Sequence, residues 1–80
     1  MQIHVRLSGP LAAQFQRPRL TVTLPDGARV ADLLAQLRAA QPEAAALASA
    51  VAVVDGRPVD PNFTLTDQQE LALLIPTAGG

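Results

Sequence analysis

Eighty residues make a single domain near the lower size limit for a self-sufficient core. With 49% hydrophobic residues and no cysteine, that core has to form without disulfides, and no thiolate metal site or catalytic thiol belongs to the chain. Six arginines against seven acidic residues leave a net charge of -1, a balance that predicts no basic patch and, with 2% aromatic residues to stack on bases, argues against nucleic-acid binding.

In chain order, Ile3, Val5 and Leu7 alternate with Gln2, His4 and Arg6, the two-residue period of a half-buried strand. Ser8-Gly9-Pro10 breaks it. Residues 11–15 are too few for a secure helix and read as a loop or single turn tucked under the sheet. Alternation resumes over residues 19–24, with Leu20, Val22 and Leu24 inward and Thr21 and Thr23 outward. Pro25-Asp26-Gly27 then supplies turn chemistry.

Val30, Leu33, Leu34 and Leu37 fall at i, i+3, i+4 and i+7, one face of an α-helix. Asp32 sits in its first turn, where the helix dipole favours an acid. Arg29 leaves the N-cap poorly filled, and Pro42 closes the helix at about Gln41. Residues 43–50 favour a short second helix anchored by Leu47.

Val51, Ala52, Val53 and Val54 run into Asp55-Gly56, a strong hairpin signal. Arg57-Pro58-Val59 reads as a short return strand that its proline restricts to an edge. Residues 71–75 form a last strand, apolar on both faces and therefore central. It is expected to lie parallel to the first strand. The fold class is thus α+β, a mixed sheet of four to five strands with one main helix packed across one face.

Little in the chain points to catalysis of its own. His4 is the single histidine and belongs on the polar face of the first strand, so no metal site is expected. Ser8 and Ser49 have no visible base, and no paired carboxylates stand beside a histidine. No apolar run reaches membrane-span length and no signal peptide opens the sequence, so the chain reads as soluble and cytoplasmic. Lysine is absent and alanine abundant. A genome rich in G and C explains both, and so would a protein whose activated C-terminus gains from carrying few amines.

The end is the most informative segment. Ala78-Gly79-Gly80 follows directly on an apolar strand, with no element beyond for the glycines to turn into. The sequence therefore divides into a folded domain, residues 1–76, and a tail, residues 77–80. Such a tail is either a frayed end or a thin peptide that threads its carboxylate into another protein's active site.

Four segments carry a resemblance over the whole length. They are Gly9-Pro10-Leu11 after the opening strand, Leu24-Pro25-Asp26-Gly27-Ala28-Arg29-Val30-Ala31-Asp32-Leu33-Leu34, Val53-Val54-Asp55-Gly56-Arg57-Pro58-Val59-Asp60, and Glu70 onward through Ile75-Pro76-Thr77-Ala78-Gly79-Gly80. Together they resemble the ubiquitin-like β-grasp sulfur carriers of the MoaD/ThiS family, most of all its molybdopterin synthase small-subunit branch. Arg29 and Asp55 stand where the family often has Thr and Asn, and the early aromatic residues of that branch are missing.

The resemblance implies a β-grasp fold and a carrier mechanism in which this chain binds no cofactor. A ubiquitin-activating-type adenylating enzyme would use ATP to adenylate the Gly80 carboxylate, and a sulfur donor would then convert it to a thiocarboxylate. Gly79, Ala78 and Thr77 would thread the tail. The sulfur acceptor would be the larger catalytic subunit of molybdopterin synthase. Alternatives are an enzyme of thiamine, cysteine or tRNA thiolation, or the lysines of other proteins if the chain is a modifier. These partners need a docking surface. Alternation of the last strand assigns Leu71 and Leu73 to the helix side, leaving Ala72 and Leu74, with Val53 and Pro76, as the partner-binding group.

Overall fold

A computed structural model describes residues 1–76 of the chain. The first alternating segment forms β1 (Gln2–Leu7), with Ile3, Val5 and Leu7 all buried. It pairs antiparallel with β2 (Arg19–Thr23). Between them the chain forms a short helix, α1 (Pro10–Phe15), and not the loop or single turn that its length suggests. Pro10 opens the first turn, where its missing N–H costs nothing. Leu11 is completely buried, so tertiary packing holds a helix too short to persist alone.

The main helix, α2 (Val30–Ala40), lays Val30, Leu33 and Leu37 into the core. Its start is better satisfied than the sequence suggests. The Asp32 carboxylate accepts the Arg29 backbone N–H at 2.8 Å. The Val30 and Ala31 N–H groups donate to the Phe63 and Pro61 carbonyls at 3.0 and 2.9 Å. A distant loop thus caps the helix where the local residue does not.

A 3₁₀ helix, Ala45–Ser49, takes the place of the second helix expected over residues 43–50. The Leu47 and Ala50 N–H groups donate to the Ala44 and Leu47 carbonyls at 3.0 and 3.2 Å, the three-residue bonding of the tighter helix. Leu47 is its buried anchor.

Strands β3 (Val51–Val54) and β4 (Arg57–Val59) form a hairpin. Asp55 and Gly56 both adopt positive φ, 52° and 78°, the geometry of a tight two-residue turn that follows the twist of the strands. The last strand, β5 (Glu70–Leu74), pairs parallel with β1 and antiparallel with β3. The sheet order is β2-β1-β5-β3-β4, so β5 is central and the proline-bearing β4 lies at an edge. One face of this sheet packs with α2 into a single core that includes Ile3, Val5, Val22, Leu71 and Leu73. Among the described residues, no helix is laid across the opposite face.

Beside the backbone bonds from Gln68 to Gln2 and from His4 to Gln69 that join β1 to the approach of β5, the Asp67 carboxylate accepts the Gln2 backbone N–H at 2.8 Å. That bond, outweighing the cost of partial desolvation, holds Asp67 below the ordinary aspartate value of 3.8. A carboxyl whose folded pKa is lowered stabilises the fold above its unfolded pKa. The contribution is lost as pH falls through the folded value. Asp67→Asn is therefore expected to flatten the acid limb of a plot of Tm against pH while leaving the neutral fold intact. An acid limb unchanged in the variant would show that the Gln2 contact does not set it.

Candidate functional site

The residues proposed from sequence for docking meet on the open face of the sheet. Register places Val53 of β3 directly opposite Ala72 of β5, and Val51 opposite Leu74. Ala72 and Val53 are half-buried, while Leu74, at 39% exposure, is the exposed large apolar side chain among the described residues. Alternation explains this arrangement: Leu71 and Leu73, at 2% and 0% exposure, take the core side. Pro76 is exposed just beyond the end of β5. Thr77, Ala78, Gly79 and Gly80 lie outside the described residues.

Two further residues join this surface that sequence reasoning did not assign to it. Val51 is half-buried beside Leu74, and Pro58 is exposed beside Val53. Both lie in segments already read as strands; only their register, a non-local property, was missing.

His4 lies on the same open face. Its Nε2 is 2.8 Å from Gln68 Oε1, and its Nδ1 is 3.4 Å from Thr21 Oγ1. These contacts hold the ring within a surface network joining β1, β2 and the approach to β5. Ser8 Oγ donates to the Leu73 carbonyl at 3.3 Å, which ties the end of β1 to the end of β5. Among the described residues there is no buried polar or charged side chain and no grouping of His, Asp and Glu that could hold a metal ion. No helix there is long and apolar enough to cross a membrane. What the described surface offers is an apolar patch, a recognised interaction feature, on the strand that leads into the tail.

A five-stranded mixed sheet crossed by one helix, with its first and last strands parallel at the centre, defines a ubiquitin-like β-grasp protein. The sequence profile of the ThiS family matches residues 5–80, and the chain belongs to that family. That family is one of ubiquitin-like sulfur carriers. Small proteins of this kind are generally carriers and not catalysts, and they work with an activating enzyme and with acceptor enzymes.

Solved structures agree on the fold. Small archaeal modifier protein 1 from Haloferax volcanii matches with a TM-score of 0.83 at 22% identity, over 100% of both chains. A putative molybdopterin converting factor subunit 1 from Pyrococcus furiosus gives 0.85 at 20% identity, over 96% of this chain and 99% of that one. Small archaeal modifier protein 1 from Methanosarcina acetivorans gives 0.80 at 20% identity, over 99% and 96%. A search of curated protein sequences finds no match.

Proposed function

We propose that the chain carries sulfur on its Gly80 carboxylate for molybdenum cofactor biosynthesis, as the non-catalytic small subunit of molybdopterin synthase. The observation that supports the carrier step is a family match running through Ile75-Pro76-Thr77-Ala78-Gly79-Gly80, and the likeness to the putative molybdopterin converting factor subunit 1 supports the choice of the pterin branch.

The chemistry follows from the weakness of a carboxylate as an acyl donor, since its leaving group would be oxide. In the proposed cycle a carboxylate oxygen of Gly80 attacks the α-phosphate of ATP on a partner adenylating enzyme. Pyrophosphate leaves and an acyl-adenylate forms. A donor of hydrosulfide-level sulfur then attacks the acyl carbon and expels AMP, which leaves the thiocarboxylate and releases a proton. Gly80 needs no side chain for this, and a Cβ at Gly79 would obstruct a channel sized for bare backbone. Thr77 and Ala78 supply backbone contacts along it. Leu74, Ala72, Val53 and Pro76 form the docking patch, and the complex with the larger synthase subunit buries roughly 1,200 Å² or more in total.

The family match also favours a second reading, delivery of sulfur to a thiazole precursor in the thiamine pathway. Cysteine synthesis, tRNA thiolation and attachment to protein lysines are the remaining routes. Intact-protein mass after isolation from the native cell tests the carrier step. A gain equal to sulfur replacing oxygen is expected, whereas lysine-linked adducts would mark a modifier. Thiocarboxylated chain is then mixed with candidate acceptors, and its sulfur is expected to pass to the pterin precursor. Transfer to a thiazole precursor, an activated serine or a tRNA, with none to the pterin, would overturn the choice of pathway.

A further inference from the structure

The sheet has two edges, β2 and β4, and they are finished differently. In the β3–β4 hairpin Val54 faces Arg57 across the turn, and Val53 faces Pro58. Antiparallel strands alternate hydrogen-bonded and non-hydrogen-bonded pairs. Arg57 and Val59 therefore bond inward to β3, and Pro58 turns its backbone outward. Its nitrogen carries no hydrogen, so the free side of this short strand offers no N–H. That edge is protected against further pairing.

Strand β2 lacks such protection. The Leu7 N–H donates to the Pro18 carbonyl at 2.7 Å, and the Leu24 N–H to the Met1 carbonyl at 2.9 Å. Those bonds fix the phase of the ladder. Leu20 and Val22 bond to β1, whereas Arg19, Thr21 and Thr23 direct N–H and C=O away from it. Among the described residues, no other segment bonds to these outward groups. All three residues are exposed, and only Arg19, at the strand's end, is charged. Beneath the edge a shallow groove runs between β2 and α2, lined by Phe15, Leu20, Val22, Leu37 and Ala40. Phe15 and Leu20 are only half-buried there.

We propose that this edge joins two copies of the chain, β2 pairing antiparallel with β2 about a twofold axis at Thr21. A twofold contact has to be self-complementary, and this register is. Thr21 faces Thr21, Arg19 faces Thr23, and Leu20 faces Val22 of the second copy on the groove side. All three outward residues then enter hydrogen-bonded pairs, whereas an axis at Leu20 or Val22 engages only two of them. The two Arg19 residues stand about 13 Å apart along the strands, beyond the Debye length of about 8 Å at physiological salt. Arg17, just before β2, comes opposite Pro25 and next to Asp26 of the second copy, and Arg17 and Asp26 are both exposed. That match of faces and end charges selects a second copy over an unrelated extended segment. Strand β1 separates β2 from β5, so Leu74 and Ala72 stay uncovered in the dimer. The proposal does not depend on the carrier reading.

Sedimentation velocity of the full chain, from low micromolar to millimolar concentration, is expected to show a reversible monomer–dimer equilibrium. Amide hydrogen exchange reads the register. In the concentrated chain Arg19, Thr21 and Thr23 should exchange about tenfold more slowly than in the dilute one, with Leu20 and Val22 protected in both. Thr21→Pro removes an outward N–H that β1 does not use, so it should abolish the dimer with Tm little changed. Thr21→Glu and Thr21→Arg each set like charges face to face at the axis. Each alone should be monomeric, and an equimolar mixture of the two should dimerise. A wild-type chain that stays monomeric at millimolar concentration would overturn the proposal. Slowing of the same amides only when an adenylating or acceptor enzyme is added would overturn the second copy as occupant. A dimer that survives Thr21→Pro, or one lost in folded Leu74→Arg, would place the contact on another surface. Failure of the Glu and Arg variants to associate when mixed would overturn the axis at Thr21.

Discussion

Deleting Gly80 is expected to abolish adenylation of the chain while changing its stability by less than about 0.5 kcal/mol. The described core closes with Leu73, and Ile75 is the last hydrophobic residue packed against it. Every apolar residue of the described core therefore precedes the tail. The carboxylate of residue 80, by contrast, is the reacting group of the proposed cycle. A chain ending at Gly79 would place its carboxylate one residue, about 3.3–3.6 Å, short of the activated phosphate. Reactions that depend on positioning lose most of their rate over much smaller displacements. Extending the chain beyond Gly80 should be as damaging, because it converts the carboxylate into an amide. ATP–pyrophosphate exchange reads the first effect, and denaturant unfolding the second. A truncated chain that still takes up sulfur would sink the role of Gly80. One that unfolds would show that the tail belongs to the fold.

The second large effect is a contrast between neighbours. Leu73→Arg is expected to unfold the protein, whereas Leu74→Arg should leave it folded and unable to dock. Leu73 is 0% exposed and sits on the central strand, with its register partners Leu7 and Ala52 also buried. A guanidinium there has no carboxylate to meet, since no charged side chain is buried among the described residues. Burying an unpaired charge costs more than about 4 kcal/mol. A domain of this size has only about 4–12 kcal/mol in total, at about 0.05–0.15 per residue.

One residue on, the side chain points to the other face. Leu74 is 39% exposed, so a charge at that position stays hydrated and should cost no more than about 0.5 kcal/mol in stability. In a complex, however, it would enter the apolar part of the interface, where losses of about 2 kcal/mol or more mark the residues that matter most. That corresponds to roughly thirtyfold weaker binding. Circular dichroism and titration calorimetry of the two variants, with the adenylating enzyme and with the acceptor, separate the outcomes. Equal effects on folding would mean that β5 does not present its two faces as described.

Much of this architecture was legible because its chemistry is local. The alternation of Ile3, Val5 and Leu7 marks β1, and the stripe of Val30, Leu33 and Leu37 marks α2. Asp55-Gly56 prescribes the tight hairpin turn. The apolar residues on both faces of β5 require a central position. Alternation along β5 separates Leu71 and Leu73 from Ala72 and Leu74, and the first pair is the buried one, as read from the sequence. The diglycine end is likewise a sequence feature, and the carrier reading rests on it and on the family match that includes it.

What the tertiary structure decided is non-local in each case. Residues 10–15 become a helix because Leu11 finds a buried seat, although so short a segment lacks the hydrogen bonds to offset its own nucleation. The N-terminus of α2, uncapped by Arg29, is satisfied by carbonyls of Pro61 and Phe63. Periodicity shows which face a strand residue takes but carries no information on its cross-strand neighbour, which depends on how distant segments align. Pairing of β3 with β5 brings Val51 beside Leu74. Pairing of β1 with β2 sets Arg6 against Arg19.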